Sequence, residues 1–270
     1  VEVLPAGWMG KVHAQGVGVE HLAPEVDWVL FTDADIDHGP GVVRRLLAQA
    51  ARGPYDLVSI MARLRTETFW ERLLMPTFVY FFQAMYPFRR ASDAHSEVAA
   101  AAGGCVLLRR ETLERAGGPA AYRAAVIDDL ALARTVKDAD GRLWIGFDEG
   151  VVSKRAYPRL RDIVNMIARS AFDELGYRYA MIPLVWIGLG LLFVVPPIAT
   201  IGGIATGDAT TAGLGAAAWM LASVSTAPAF RLYGLPRAWA LLTPLAVLIY
   251  AWATTLSALR HAFGRARRWR

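Results

Sequence analysis

The chain has 270 residues, of which 55% are hydrophobic and only 20% charged, and its mean hydropathy is +0.32. This composition excludes a disordered or fibrous chain and indicates a membrane protein or a protein with a membrane part. The net charge of +5 comes from the part of the chain after residue 179, which has seven arginines and one acidic residue. These arginines flank apolar segments, as membrane topology signals do. This arrangement disfavours a nucleic-acid binder, whose basic residues would lie on the folded domain.

The first 150 residues alternate between short apolar runs and helical segments. Strands are predicted at Trp28–Thr32, 57–62 and 106–108, and helices at 42–51 and 110–116. This alternation predicts an α/β fold with a largely parallel sheet covered by helices. The single cysteine, Cys105, is predicted to be a small buried residue, and it allows no intrachain disulfide.

The second half of the chain is organised around apolar helices. Residues 159–178 repeat apolar positions at helical spacing, so they predict an amphipathic helix that lies either in the membrane interface or on its own domain. Three uncharged segments follow at 179–207, 209–230 and 238–259. Each is long enough to cross the ~30 Å hydrocarbon core, and Pro196-Pro197 is expected to kink or break the first. The predicted domains are thus 1–158, 159–178 and 179–270.

The arginines after residue 230 set a constraint on topology. Arg231, Arg237 and the tail cluster, which begins at Arg260, should all share the cytoplasmic side with residues 1–178. Three full crossings cannot satisfy this, because an odd number places the tail outside. We therefore expect one segment, the third or the first, to be re-entrant or interfacial.

Acidic residues supply the sharpest local motif. Asp33 and Asp35 directly follow a predicted strand, and carboxylates two apart in an extended chain point to the same side. Such a pair suits a hard divalent cation that also holds phosphate oxygens, although a solvated turn is the alternative. A second acid pair, Asp128-Asp129, begins an apolar helix and is either a general base or simply a favourable helix N-terminus.

Two glycine motifs accompany the acids. Gly10-Lys11 lets the backbone approach a phosphate while the ammonium neutralises it. Residues 99–104 are small and end in Gly103-Gly104, which permits close approach to a bulky ligand or forms a tight turn.

The order of these motifs, followed by membrane segments, resembles the processive and lipid-linked family 2 glycosyltransferases. The resemblance is closest to the hopanoid-biosynthesis-associated members, and it is carried by ERLLMPTFVYFFQ at 71–83, YPF at 86–88, AAAAGGC at 99–105 and IDD at 127–129. It implies a GT-A-type (Rossmann-like) domain followed by transmembrane helices. The N-terminal strand–helix unit that binds the nucleobase in that family is expected to lie outside this chain.

The resemblance also implies roles for the residues. Asp129 would be the general base, supported by Asp128. Asp33 and Asp35 would hold Mg²⁺ or Mn²⁺. The nucleotide-sugar donor, expected to be UDP-linked, would be bound by Lys11, Gly10, Asp33, Gly103 and Gly104.

The implied activity is inverting transfer of a sugar to a lipid acceptor, with hopanoids among the acceptors. The implied location is the bacterial inner membrane, with the catalytic domain on the cytoplasmic side. The Arg/Gln-x-x-Arg-Trp motif of many relatives is absent before the apolar segments; residues 265–269 fit it but are interpreted as a basic, membrane-facing tail. A non-catalytic membrane scaffold with a degenerate domain is the alternative. A transporter is disfavoured because the apolar segments contain no charged residue. The aromatic stretch 69–88 is predicted to touch lipid or to pack in the core.

Overall fold

A computed structural model describes residues 4–264 of the chain. This part divides into two compact units. The first comprises residues 4–65 and Phe82–Ala156, and the second comprises Thr66–Phe81 and residues 157–264. The segment Thr66–Phe81 therefore belongs with the apolar helices, although about 100 residues separate it from the first of them in the sequence. The tail motif at 265–269 lies outside the described residues.

The first unit is built on a five-stranded sheet of strand order β1-β4-β3-β5-β2. Its strands are β1 (Trp28–Thr32), β2 (Ile36–His38), β3 (Leu57–Arg63), β4 (Cys105–Arg109) and β5 (Leu143–Ser153). The mixed α/β fold class is confirmed.

The expected largely parallel sheet is wrong. Among the described strands only β3 and β5 pair in parallel. β4 is antiparallel to both β1 and β3, and β2 is antiparallel to β5. The expectation failed because it treated each intervening helix as a crossover between parallel strands, whereas β4 enters between β1 and β3 in the reverse direction.

Helices cover both faces of this sheet. They are α1 (Gly10–Glu20), α2 (Val42–Arg52), α4 (Phe88–Ala91), α5 (Arg110–Arg115) and α6 (Asp128–Asp138), with the longer α3 (Phe69–Met85) between β3 and α4. Consecutive strand residues enter opposite cores: Val106 packs with Leu132 of α6, and Leu107 packs with Leu46 of α2. This two-sided burial explains why the first six residues of β3 are all buried. Cys105 is fully buried, as predicted, and burial raises the pKa of its thiol to about 12.

The second unit begins with two short helices rather than the predicted single amphipathic one. These are α7 (Leu160–Ile167) and α8 (Ala171–Glu174). The helix ends because the N–H groups of Arg169 and Ser170 bond to carbonyls three residues back, which tightens the last turn, and Ser170 leaves helical geometry with φ −126°. The apolar pattern survives the break, because Ile163, Ile167 and Phe172 are buried.

Within the part of the chain that the structure describes, three helices are long and apolar enough to cross a membrane: Met181–Thr206, Ala209–Leu232 and Arg237–Ala262. The first consists of α9 (Met181–Leu189), a π turn (Gly190–Val194) and α10 (Val195–Thr206); the second is α11 (Ala209–Leu232); the third is a 3₁₀ turn (Arg237–Leu242) and α12 (Thr243–Ala262).

The proline pair does not break the first helix. Pro196 and Pro197 occupy the first turn of α10, immediately after the π turn. There the N–H of Val195 bonds to the carbonyl of Gly190, five residues back. A π turn is one of the local adjustments by which a helix accommodates proline, which has no backbone N–H to donate to a hydrogen bond.

The aromatic stretch 69–88 packs largely against protein. Phe81 contacts the rings of Phe193 and Tyr250, and Phe88 contacts the ring of Phe147. Of its eight aromatic side chains, Phe69 alone is exposed, with 46% of its surface accessible. Core packing therefore accounts for most of the stretch, and lipid contact stays a prediction for Phe69.

Helices α10 and α11 approach closely through glycines. A Cβ on Gly215 of α11 would lie 2.6 Å from the backbone nitrogen of Thr200, and one on Gly203 of α10 would collide with the backbone of Ala212. Small residues at such positions let helix backbones pack within a membrane.

We expect Gly215→Ala to destabilise the protein by about 1–3 kcal/mol, because the methyl group must displace backbone. Gly213→Ala, two residues away on the same helix with open space at its Cβ, is the matched control and should leave stability unchanged or slightly raised. Thermal unfolding in detergent micelles measures both. Equal melting temperatures for the two variants would contradict the glycine contact.

Candidate active site

The antiparallel pairing of β1 and β4 creates the candidate site at one edge of the sheet. Because Thr32 pairs with Cys105, the residue after β1 lies beside the glycines before β4. The Thr32 hydroxyl donates to the Gly104 carbonyl at 3.1 Å, and the Asp33 N–H donates to the same oxygen at 3.4 Å. This register brings together two motifs that lie 70 residues apart in the sequence.

Lys11 bridges two of the predicted acidic residues. Gly10 begins α1, and the Nζ of Lys11 in its first turn lies 2.9 Å from Asp33 Oδ1 and 3.1 Å from Asp128 Oδ2. Burial alone would lower the pKa of Lys11, but the carboxylates of Asp128 and Asp33 outweigh it and hold the pKa above its ordinary value. The ammonium is therefore charged throughout the physiological range.

Asp129 is held by the backbone of a different segment. It lies in the first turn of α6, and its Oδ2 accepts the Gly103 N–H at 2.7 Å while its Oδ1 accepts the Leu130 N–H at 2.9 Å. Burial and the neighbouring Asp128 carboxylate raise its pKa to about 6, although Lys11 and both backbone N–H groups oppose this. At neutral pH the group is therefore mostly ionised and able to accept a proton.

The glycine pair is needed for space at this point. A Cβ on Gly103 would lie 3.1 Å from both Asp129 Oδ2 and Lys11 Nζ, and a Cβ on Gly104 would lie 3.1 Å from the Cδ1 of Ile36. Both distances are tighter than ordinary van der Waals contact. Gly103 thus lies close to both the ammonium and the carboxylate. A side chain at this position would displace one of them.

The expected extended chain between Asp33 and Asp35 is wrong. Residues 34 and 35 form a turn, closed by the Ile36 N–H donating to the Asp33 carbonyl at 3.1 Å, so the chain is not extended there. The Asp33 carboxylate pairs with Lys11, whereas Asp35 Oδ2 accepts the Ser153 hydroxyl at 3.4 Å. The structure therefore brings Asp33, but not the Asp35 side chain, into contact with Lys11.

The donor chemistry of these acids still fits a divalent cation. Within residues 4–264 no group of three or more His, Cys, Asp or Glu side chains is placed to hold a metal ion. Mg²⁺ nevertheless takes only one or two carboxylates from a protein when substrate phosphates and water supply its other ligands. Asp33 and Asp35 offer two hard oxygen donors on one turn, which meets that smaller requirement.

Gln15 and Tyr122 join the site without having been predicted. The Tyr122 hydroxyl donates to Gln15 Oε1 at 3.1 Å, and Gln15 Nε2 donates to Asp128 Oδ2 at 3.3 Å. Gln15 lies four residues after Lys11, so both face the same side of α1. That spacing was a usable signal for Gln15, whereas Tyr122 follows from the tertiary arrangement.

Comparison with known proteins identifies the family. The model of glycosyl transferase family 21 matches residues 20–268. No curated protein sequence matches the chain. Among solved structures, the chain is similar to the mannosyltransferase PcManGT from Pyrobaculum calidifontis in complex with GDP-Man and Mn²⁺, with 18% identity, a TM-score of 0.47, and coverage of 95% of this chain and 67% of that chain.

The family match confirms one part of the family resemblance expected from the sequence and corrects another. It confirms the glycosyltransferase class, while it points to family 21 instead of the expected family 2 and gives no support to the hopanoid-associated group. Because the match extends over most of its length, the chain belongs to glycosyl transferase family 21.

Proposed function

We propose that the protein is a membrane-bound inverting glycosyltransferase that moves a sugar from a nucleotide-sugar donor to a lipid acceptor. Family membership supports sugar transfer, and the three long apolar helices support a membrane location. The observation that carries the proposal is the carboxylate of Asp129, which has a pKa of about 6 and lies beside the backbone of Gly103 and the ammonium of Lys11.

In the proposed reaction, Asp129 accepts the proton of the acceptor hydroxyl while that oxygen attacks the anomeric carbon. The bond between the sugar and the leaving nucleoside diphosphate breaks in the same step, on the opposite face. Lys11 lies next to this carboxylate and neutralises negative charge on the diphosphate, and Asp128 holds Lys11 in place. One base and no carboxylate nucleophile predict inversion at the anomeric carbon.

Gly103 and Gly104 leave room for the sugar, and Gly10 lets the backbone approach the phosphates at the start of α1. Asp33 and Asp35 are the residues that would hold Mg²⁺ or Mn²⁺. The cation would neutralise the leaving diphosphate when bound.

The donor proposed is a UDP-linked sugar, and the acceptor a membrane lipid, with hopanoids among the acceptors to be tested. The proposed location is the cytoplasmic face of the bacterial inner membrane, where nucleotide sugars are available. The competing function is a non-catalytic scaffold. The charged, glycine-lined acid cluster argues against a scaffold, because a scaffold does not need such a cluster.

Asp129→Asn tests the proposal directly. Sugar transfer by the purified protein, measured against a panel of nucleotide sugars and lipid acceptors, should fall by ~10²–10⁴-fold because the base is lost. Asp138→Asn, at the opposite end of α6 with a side chain 65% exposed, is the matched control and should retain activity. Equal turnover in both variants would assign the base elsewhere, and inactivity of the wild type across the panel would favour the scaffold.

The pH dependence gives a second test. With a pKa of about 6 for Asp129, transfer should decline as the pH falls below about 6, since the protonated carboxyl cannot act as a base. Asp128→Asn removes the negative neighbour that raises this pKa and should move the acidic limb of the pH–rate profile to lower pH. Lys11→Met removes an opposing charge and should move it to higher pH. Shifts of the same sign in both variants would contradict the assignment.

The cation role is tested by Asp35→Ala. We expect the variant to lose donor affinity and divalent-cation dependence together, as measured by donor titration with and without a chelator. Asp37→Ala, on the same segment but paired with Lys154 at 2.8 Å, is the control and should keep both. Donor affinity that a chelator leaves unchanged in the wild type would rule out a metal at these residues.

A further inference from the structure

We propose that His38 is a positioning residue of the candidate site and that it acts through the hydroxyl of Thr32. The inference deepens the proposed function and rests on it, because the group that is finally positioned is the carboxylate of Asp129. All the residues involved belong to the first unit. The basis is a chain of three hydrogen bonds that starts at the His38 ring and ends at that carboxylate.

The end of β1 and the start of β2 are joined by local contacts. Among the described strands, β1 pairs only with β4 and β2 only with β5, so no backbone ladder fixes β1 against β2. One contact that joins them is the turn in which the Ile36 N–H donates to the Asp33 carbonyl. The other is the contact of 2.8 Å between the Thr32 hydroxyl and His38 Nε2. The His38 side chain therefore closes the short loop that carries Asp33 and Asp35.

Two side chains of β2 approach the glycine pair from one face of the strand. Ile36 and His38 lie two residues apart and are both half-buried, whereas Asp37 between them is exposed. The Cδ1 of Ile36 lies 3.1 Å from the place that a Cβ on Gly104 would take. Ile36 thus packs directly against Gly104, and His38 reaches the same residue by hydrogen bonding through Thr32.

The single hydrogen of the Thr32 hydroxyl decides which way these bonds run. The hydroxyl oxygen lies 2.8 Å from His38 Nε2, 3.1 Å from the Gly104 carbonyl oxygen and 3.3 Å from the Asp33 carbonyl oxygen. A carbonyl oxygen can only accept, so a hydroxyl that donates to Gly104 must receive its shortest contact as an acceptor. We therefore assign the tautomer in which His38 Nε2 carries the hydrogen and donates to Thr32.

The other ring nitrogen agrees with this assignment. His38 Nδ1 is buried and has no hydrogen-bond partner in the part of the chain that the structure describes. A hydrogen on Nδ1 would be a buried donor without an acceptor, which is costly. It would also draw the Thr32 hydrogen to Nε2, and the Gly104 carbonyl would then keep only the Asp33 N–H at 3.4 Å.

The glycine pair transmits this order to the proposed base. Two consecutive glycines have no side chains to hold their backbone, so its position depends on the hydrogen bonds it makes. The Thr32 hydroxyl holds the Gly104 carbonyl, and Gly103 donates its N–H to Asp129 Oδ2 at 2.7 Å. If the Gly104 carbonyl is released, the backbone at Gly103 can turn, and its bond to Asp129 changes.

Loss of the His38 donor should therefore change both turnover and the Asp129 carboxyl. Burial and Asp128 raise the pKa of Asp129, whereas Lys11 and the Gly103 N–H lower it. A weaker bond from Gly103 should raise this pKa further. We expect His38→Leu to show that rise and to reduce kcat about 2- to 10-fold, which is the usual effect of one hydrogen bond.

Substitutions that keep or remove the donor at Nε2 test the inference on the full chain in detergent micelles. The side-chain nitrogen in His38→Gln reaches as far as Nε2 and can donate to Thr32, whereas the nitrogen in His38→Asn reaches only as far as Nδ1. We expect His38→Gln to retain most of the wild-type kcat and a similar pKa of Asp129. His38→Asn should behave like His38→Leu.

A second pair of variants acts on the hydroxyl and gives the answer if His38→Leu does not fold. Thr32→Val removes the hydroxyl and should match His38→Leu, whereas Thr32→Ser keeps it and should resemble the wild type. The double variant should be no worse than either single one, because both changes break the same chain of bonds. His21→Leu is the matched control. This exposed ring bonds to the Val17 carbonyl at 2.8 Å, and its loss should change neither readout.

The two readouts are kcat for sugar transfer and the pH titration of the Asp129 carboxyl carbon by NMR, with its signal assigned by Asp129→Asn. The titration needs neither donor nor acceptor, so an inactive wild type would refute the proposed function while the titration still tests the role of His38. Wild-type behaviour of both His38→Leu and Thr32→Val would overturn the inference. So would a His38→Gln variant that keeps its melting temperature but is as impaired as His38→Leu.

Discussion

The ammonium of Lys11 between the carboxylates of Asp33 and Asp128 is the interaction on which the candidate site depends. It joins α1, the end of β1 and the start of α6 within hydrogen-bond distance. Three acids, Asp33, Asp128 and Asp129, gather in a partly buried place, where their mutual repulsion would separate them without a cation. Lys11 offsets that repulsion, while burial and, second, the charge on Asp128 still raise the pKa of Asp129. One lysine thus supports the local fold and tunes the proposed base.

The antiparallel register of β1 against β4 supplies the rest of the geometry. It places Asp33 beside Gly104, and Gly103 then donates its N–H to Asp129. The absence of a side chain at Gly103 lets the backbone occupy the gap between ammonium and carboxylate. The candidate site is therefore formed at a sheet edge, not at the carboxyl ends of parallel strands.

In the second unit, helices of similar hydropathy differ in what covers them. The hairpin of α9–α11 presents apolar side chains outward and glycines inward. The third helix has a comparable apolar composition, but α3, α7 and α8 cover it with segments that carry Arg72, Arg161 and Asn165.

The sequence by itself determined the class of fold and the position of most elements, and it named the residues of the candidate site. Trp28–Thr32 and the three apolar helices followed from periodicity and length, because burial of a strand or a membrane helix demands an uninterrupted apolar run. Asp33, Asp128, Asp129, Lys11 and Gly103 followed from local motifs.

Only the tertiary structure decided the strand directions and the contacts of Gln15 and Tyr122, because each depends on residues far apart in the chain. The antiparallel place of β4 is set by packing against both β1 and β3, which no local pattern encodes. The division of 159–178 into two helices and the passage of the first apolar helix through Pro196-Pro197 likewise reflect how backbone hydrogen bonds are satisfied in place. Residue type fixed what each group can do, and long-range contacts fixed which groups meet.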